Sequence, residues 1–113
     1  MADKAQTWVY TEDYVTESDA LTAARAVATE MGASPVSPGT GAALRMLAAV
    51  SGARAVLEVG TGAGVSGLWL LDGMATDGVL TTIDSESELL GHARRNFCLL
   101  YTSDAADDTP CVD

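Results

Sequence analysis

Three features of this 113-residue chain predict an α/β fold built on a parallel sheet. Two short apolar segments rich in β-branched residues, "RAVLEV" (54–59) and "VLTTID" (79–84), read as strands. Each is followed by a segment whose apolar residues recur at helical spacing, so strand and helix alternate. Between the first strand and its helix lies a glycine loop, at Gly60, Gly62 and Gly64, with a further glycine at Gly67. Strand, loop, helix, turn, strand, helix is a βαβα unit, in which the two strands are parallel and joined by a right-handed crossover.

The elements follow in order. The first long helix is expected from Thr16 to Met31, capped by Thr16 or Ser18, with Leu21, Ala24, Val27, Ala28 and Met31 along one apolar stripe and Gly32 as its stop. In "ASPVSPG" Pro35 and Pro38 interrupt regular helix and favour extended backbone at Ser34 and Ser37. A second helix from about Thr40 to Val50 should bury Leu44, Leu47 and Ala48 and end at Gly52. "RAVLEV" reads as a buried strand, and "VSGLWLLDGM" as a helix with Leu68, Trp69 and Leu71 facing inward. "TDG" (76–78) marks a turn before the second strand. Ser85 with Glu88 forms a capping box that opens a last helix through Leu89, Leu90, Ala93 and Phe97. No internal repeat is visible.

Composition narrows the function. Sixteen acidic against six basic residues give a net charge of -10, a field that repels nucleic-acid backbones and anionic membranes. No apolar run approaches the roughly 18 residues of a membrane span. The N-terminus carries neither the basic nor the apolar region of a secretory signal, so a cytoplasmic location is expected. Cys98 and Cys111 have no C-x-x-C spacing and no adjacent histidine, so neither a metal site nor a structural disulfide is expected of them.

The glycine loop admits two ligands. Glycine lets a ligand approach the main chain, and the N–H groups opening the next helix then face an anionic group. As G-x-G-x-G from Gly60 the loop suits S-adenosylmethionine, whose carboxylate would take that place. As G-x-G-x-x-G from Gly62 it suits the pyrophosphate of a dinucleotide such as NAD. The strand ends at Val59, directly before Gly60, which favours the first register. Glu58 favours it too, because a carboxylate opposes a pyrophosphate but suits an ammonium and a sulfonium. Its plain structural reading is an ion pair with a helix arginine. Ser66, in the first turn of the helix, can offer a hydroxyl and an N–H to a carboxylate, or be an ordinary polar residue of that turn. Asp84, closing the second strand, can accept both hydroxyls of a ribose in either cofactor, or cap the next helix.

With these residues in place, "PVSPGTGAALRMLA", "VLEVGTGAGVSGLWLL" and "GVLTTIDSESELLGHAR" together resemble the N-terminal half of bacterial O-methyltransferases, class I enzymes related to the caffeoyl-CoA and catechol O-methyltransferases. The resemblance covers about residues 20–96. It implies the first part of a Rossmann-like class I methyltransferase sheet preceded by helices, with methyl transfer from S-adenosylmethionine to a small-molecule hydroxyl. It also implies cofactor contacts at Val36, Glu58, Gly60, Thr61, Ser66 and Asp84. Val36 could equally be an ordinary buried loop residue.

Relatives of this kind are considerably longer. Their acceptor pocket and divalent-metal carboxylates follow further strands, and a metal or a homodimer would belong to such a longer protein. No catalytic base and no metal ligand is therefore assigned here, and His92, the only histidine, is expected at the surface of the last helix. Residues 1–97 are read as the N-terminal part of a methyltransferase domain, inactive alone and only marginally stable or prone to aggregate, because an apolar helix face and a sheet edge would be exposed. The remaining residues, 98–113, show no period and only acidic charge. They read as an acidic, flexible tail, or as the peptide produced when a reading frame runs into sequencing adapter. Two competing functions stay open: a fragment of an NAD-dependent oxidoreductase, and a short non-catalytic cofactor-binding module.

Overall fold

The computed structural model describes residues 3–104. Its elements are α1 (Lys4–Tyr14), α2 (Asp19–Glu30), α3 (Pro38–Val50), β1 (Ala55–Val59), α4 (Val65–Gly73), β2 (Val79–Ile83) and α5 (Ser87–Asp104). The expected βαβα unit is present: β1 and β2 pair in parallel, from Ala55 opposite Val79 to Val59 opposite Ile83.

Local chemistry sets the helix ends. Ser18, in extended backbone, caps α2 by accepting the Leu21 N–H, so the helix starts at Asp19 and not at Thr16. Both α2 and α3 end with a left-handed glycine, Gly32 (φ 74°) and Gly52 (φ 62°). In each case the residue after the glycine donates back into the last turn, Ala33 to the Ala28 carbonyl and Ala53 to that of Ala48, the pattern that satisfies the last carbonyls. Ser37 caps α3 and Pro38 occupies its first turn. The helix thus begins at the second proline, ahead of the expected Thr40, because a proline there gives up an N–H that has no intrahelical acceptor anyway. Helix α1 is an addition to the expected elements. None of its residues is buried, so it has no apolar stripe to read. It is held by Glu12, whose carboxylate accepts from the Gly39 N–H at 2.7 Å and from the Ser37 hydroxyl at 3.0 Å.

The core lies among α2, α3, α4 and α5. Leu21, Ala24, Val65, Leu68 and Trp69 are buried together, with Val15, Val36, Ala42 and Phe97 packed against them. Trp69 is 1% exposed, and Gly41 on α3 leaves the space in which its indole lies. The Arg45 guanidinium sits 5.2 Å from the centre of the same ring. Leu71 is only half-buried and Leu47 is 60% exposed, against the expectation that both face inward. Of Leu44, Leu47 and Ala48, only Ala48 is fully buried, because α3 meets its neighbours along the narrow stripe of Gly41 and Ala48.

The strands are covered on one face. Val56, Glu58, Leu80 and Thr82 are half-buried on the helix side, whereas Leu57, Val59, Val79 and Ile83 are exposed. The reading of β1 as a fully buried strand is thereby corrected: alternation comes from the pleat, and among the described residues no layer covers the outer face. The last helix starts at Ser87, not at a Ser85–Glu88 capping box; Asp84 accepts the Glu86 N–H instead. It also continues to Asp104, so the first residues of the supposed tail are helical. Cys98 on this helix is disulfide-bonded, which composition does not suggest. Cys111 and the rest of 105–113 lie outside the described residues. Among the described residues no helix is long and apolar enough to cross a membrane.

Candidate functional site

The site begins where β1 stops. Gly60 has φ 96° and donates its N–H to the Ile83 carbonyl at 2.8 Å, which ties the loop to the end of β2. Gly62 (φ 55°) and Gly64 (φ 97°) continue the turn into α4. The glycines divide into two kinds. A Cβ at Gly60 or Gly62 would meet no atom within 4 Å, so that side of the loop is open. A Cβ at Gly67 would lie 2.7 Å from Phe97 Cζ and 3.1 Å from Leu80 Cδ2, so Gly67 serves helix–strand packing. Gly64, with no side chain, is the N-cap of α4, and no side chain caps that helix. The N–H groups of its first turn therefore have no intrahelical acceptors.

Two carboxylates flank the loop. Asp84 accepts from the Gly62 N–H at 2.8 Å through one oxygen and from the Glu86 N–H at 2.9 Å through the other. These backbone donors, Gly62 first and Glu86 second, hold its pKa below the ordinary aspartate value of 3.8. The helix-capping alternative for Asp84 is not what forms, because α5 starts at Ser87 and Asp84 accepts the Glu86 N–H ahead of it; each oxygen keeps a lone pair for a further donor, so these backbone bonds and ligand binding are compatible. Because the folded-state pKa is depressed, the contribution of Asp84 to stability is present above pH 3.8 and lost as the pH falls through the lower folded value. Asp84→Asn should therefore be less stable than the parent chain at neutral pH, with the gap closing in acid; urea melts of both at stepped pH check this.

Glu58 lies on the inner face of β1. Its carboxylate accepts from Ser66 Oγ at 2.5 Å and from Thr82 Oγ1 at 2.8 Å, and Thr82 Oγ1 is 2.6 Å from Thr61 Oγ1. The arginine pairing considered for Glu58 is not what forms: Arg25, Arg45 and Arg54 bridge to Glu17, Asp72 and Asp77. The Ser66 hydroxyl proton is committed to Glu58, which leaves its N–H as the group open to an anion.

Val36, Gly60, Thr61 and Ser66 line one cavity of about 130 Å³ together with Ala28 and Pro35. The structure thus brings four of the six expected contact residues to a single recess. Glu58 and Asp84 join it through their bonds to Ser66 and Gly62. His92, expected at the surface of the last helix, is half-buried on α5. Among the described residues no cluster of three or more histidine, cysteine, aspartate or glutamate side chains could hold a metal ion.

Two participants carry no sequence signal of their own. Thr82 offers no motif, and only its register opposite Glu58 reveals it. Asn96, 5% exposed, donates from Nδ2 to the Ala63 carbonyl at 2.8 Å and so fastens α5 to the loop. Asn96→Ala leaves that carbonyl without its partner and should cost about 1–3 kcal/mol. A denaturant titration measures the loss.

A parallel sheet, a glycine loop opening α4 and an acid near the end of each strand define the class: the architecture is that of the class I methyltransferases. A family model for O-methyltransferases matches residues 5–98, and the chain belongs to that family. A protein of Mycobacterium tuberculosis (strain H37Rv) named "Probable O-methyltransferase" is 57% identical over 90 residues, which are 80% of this chain and 40% of the relative. A Mycobacteroides abscessus relative is 54% identical over 88 residues, 78% of this chain and 41% of its own. The O-methyltransferase of Bacillus cereus, solved in complex with S-adenosylhomocysteine, superposes with a TM-score of 0.73 at 28% identity, covering 82% of this chain and 43% of the other. TomG of Streptomyces achromogenes, an O-methyltransferase involved in tomaymycin synthesis and solved with S-adenosylmethionine, gives 0.75 at 25% identity, covering 96% and 59%. The chain spans about 40% of the length of the curated relatives it matches.

Proposed function

We propose that this chain is the cofactor-binding part of an S-adenosylmethionine-dependent O-methyltransferase acting on a small-molecule hydroxyl. The observation that carries the reading is the open glycine loop with an acid on each side and an uncapped helix start beyond it. In this reading Asp84 accepts the ribose hydroxyls, Glu58 faces the ammonium, and the Ser66 N–H faces the carboxylate. Gly60 and Thr61 present main chain along the cofactor, and Val36 packs against it. The open space beside Gly60 and Gly62 and the mixed donor and acceptor set fit such a ligand.

The bound cofactor would supply a methyl group on a sulfonium, an electrophile that needs only an aligned nucleophile. What these residues do is bind and orient. None is assigned as a general base or metal ligand, so the chain alone should show no turnover. The register from Gly60 is supported over the NAD register from Gly62 by the end of β1 at Val59 and by Glu58. The same reading includes a cytoplasmic, Rossmann-like enzyme, with acceptor, divalent metal and homodimer contacts belonging to a longer protein. It also ends methyltransferase sequence near Asn96 or Phe97.

A ligand that binds the folded state raises stability by about 2.7 kcal/mol at a hundred times its Kd. A thermal melt with excess S-adenosylhomocysteine should accordingly show a raised midpoint. An unchanged midpoint at millimolar ligand would count against the reading.

A further inference from the structure

We infer that Thr82 is a positioning residue that aims the Glu58 carboxylate at the ammonium end of the cofactor; this rests on the function proposed above. Glu58 and Thr82 are directly opposed in the parallel register, on the helix-covered face of the sheet. An ionised carboxylate only accepts hydrogen bonds, so Thr82 donates its single hydroxyl proton to Glu58. The 2.6 Å contact to Thr61 must then run the other way, with Thr61 donating to Thr82. The result is a directed chain from Thr61 through Thr82 to one oxygen of Glu58, while Ser66 donates to the other oxygen.

The consequence is orientational and electrostatic. Two hydroxyl donors fix both carboxylate oxygens, while Arg25, Arg45 and Arg54 pair with other acids. The lone pairs left over on Glu58 belong to an anionic group beside the recess that Thr61 and Ser66 line. That suits a cation, and the ammonium of the methionine part is the cationic group present in both the methylated and the demethylated cofactor. Thr61 is 3% exposed, so its hydroxyl depends on Thr82 as acceptor. Thr82 therefore links the loop to Glu58 without needing to touch the ligand.

The test compares two probes on the 113-residue chain: S-adenosylhomocysteine, which carries the ammonium, and 5′-methylthioadenosine, which lacks the amino-acid part. Thr82→Val keeps shape and removes the hydroxyl; it should weaken S-adenosylhomocysteine about tenfold and leave methylthioadenosine unchanged. Thr82→Ser should restore the parent affinity. In a Glu58→Gln background Thr82→Val should cost little more, because both act on one interaction. Equal losses for both probes, failure of Thr82→Ser to rescue, or fully additive losses with Glu58→Gln would overturn the inference. Should Thr82→Val fail to fold, Thr82→Ser and the Glu58→Gln probe selectivity still decide: loss of S-adenosylhomocysteine binding in Thr82→Ser overturns it, and Glu58→Gln weakening both probes alike does too. If the parent chain binds neither probe, the cofactor reading itself fails, an outcome separate from normal binding by Thr82→Val.

Discussion

Trp69→Ala is expected to leave the chain without a stable fold. The side chain is almost fully buried at the meeting of α2, α3 and α4, in contact with the cluster of Leu21, Ala24, Val65 and Leu68. Truncating a buried tryptophan costs about 3–5 kcal/mol. Most domains have only about 5–15 kcal/mol in total, and a chain with an uncovered sheet face has less core than most. The complementary change is Gly41→Ala, whose new methyl would overlap the indole of Trp69. The two substitutions damage one contact from opposite sides, by a void and by a clash. Circular dichroism melts should show neither variant with the cooperative transition of the parent, whereas Ala43→Ser, exposed on the same helix, should melt like the parent.

Asp84→Ala should abolish useful affinity for S-adenosylhomocysteine. Under the proposed function the carboxylate accepts two ribose hydroxyls while its backbone bonds to Gly62 and Glu86 hold the loop. Hydrogen bonds to a charged group are stronger than neutral ones, and losing two of them should weaken binding about a hundredfold or more. Asp84→Asn, which keeps one acceptor oxygen, should fall between. Titration calorimetry on the three chains gives the order directly. Equal affinities would remove Asp84 from the site.

Much of this is readable in the sequence, and what is not has physical causes. The strands, the glycine loop between them and the cap at Ser18 are local: they depend on β-branched runs, on glycine and on a serine before an apolar stripe. Glu58, Gly60 and Ser66 are legible together because a strand end and a helix start fix their spacing, whereas Val36 and Thr61 come only with the family resemblance. Helix α1 is not legible, since it buries nothing and is held through Glu12 by a bond to a residue 27 positions away in the chain. Thr82 and Asn96 escape for a similar reason. Each acts through a partner, Glu58 or the Ala63 carbonyl, that only the packed structure brings near. The exposed side of β1 cannot be read from its residues, because a run such as "AVLEV" is equally apolar whether one face or both are covered. Leu47 shows the same limit on a helix, where the apolar pattern is broader than the stripe that packs.

Parallel calorimetric titrations of the chain with S-adenosylhomocysteine and with NADH decide which cofactor the glycine loop takes. Saturable binding of S-adenosylhomocysteine is expected, weakened in Asp84→Ala, with no measurable heat from NADH. Binding of NADH in preference to S-adenosylhomocysteine would contradict this expectation and return the loop to its dinucleotide register.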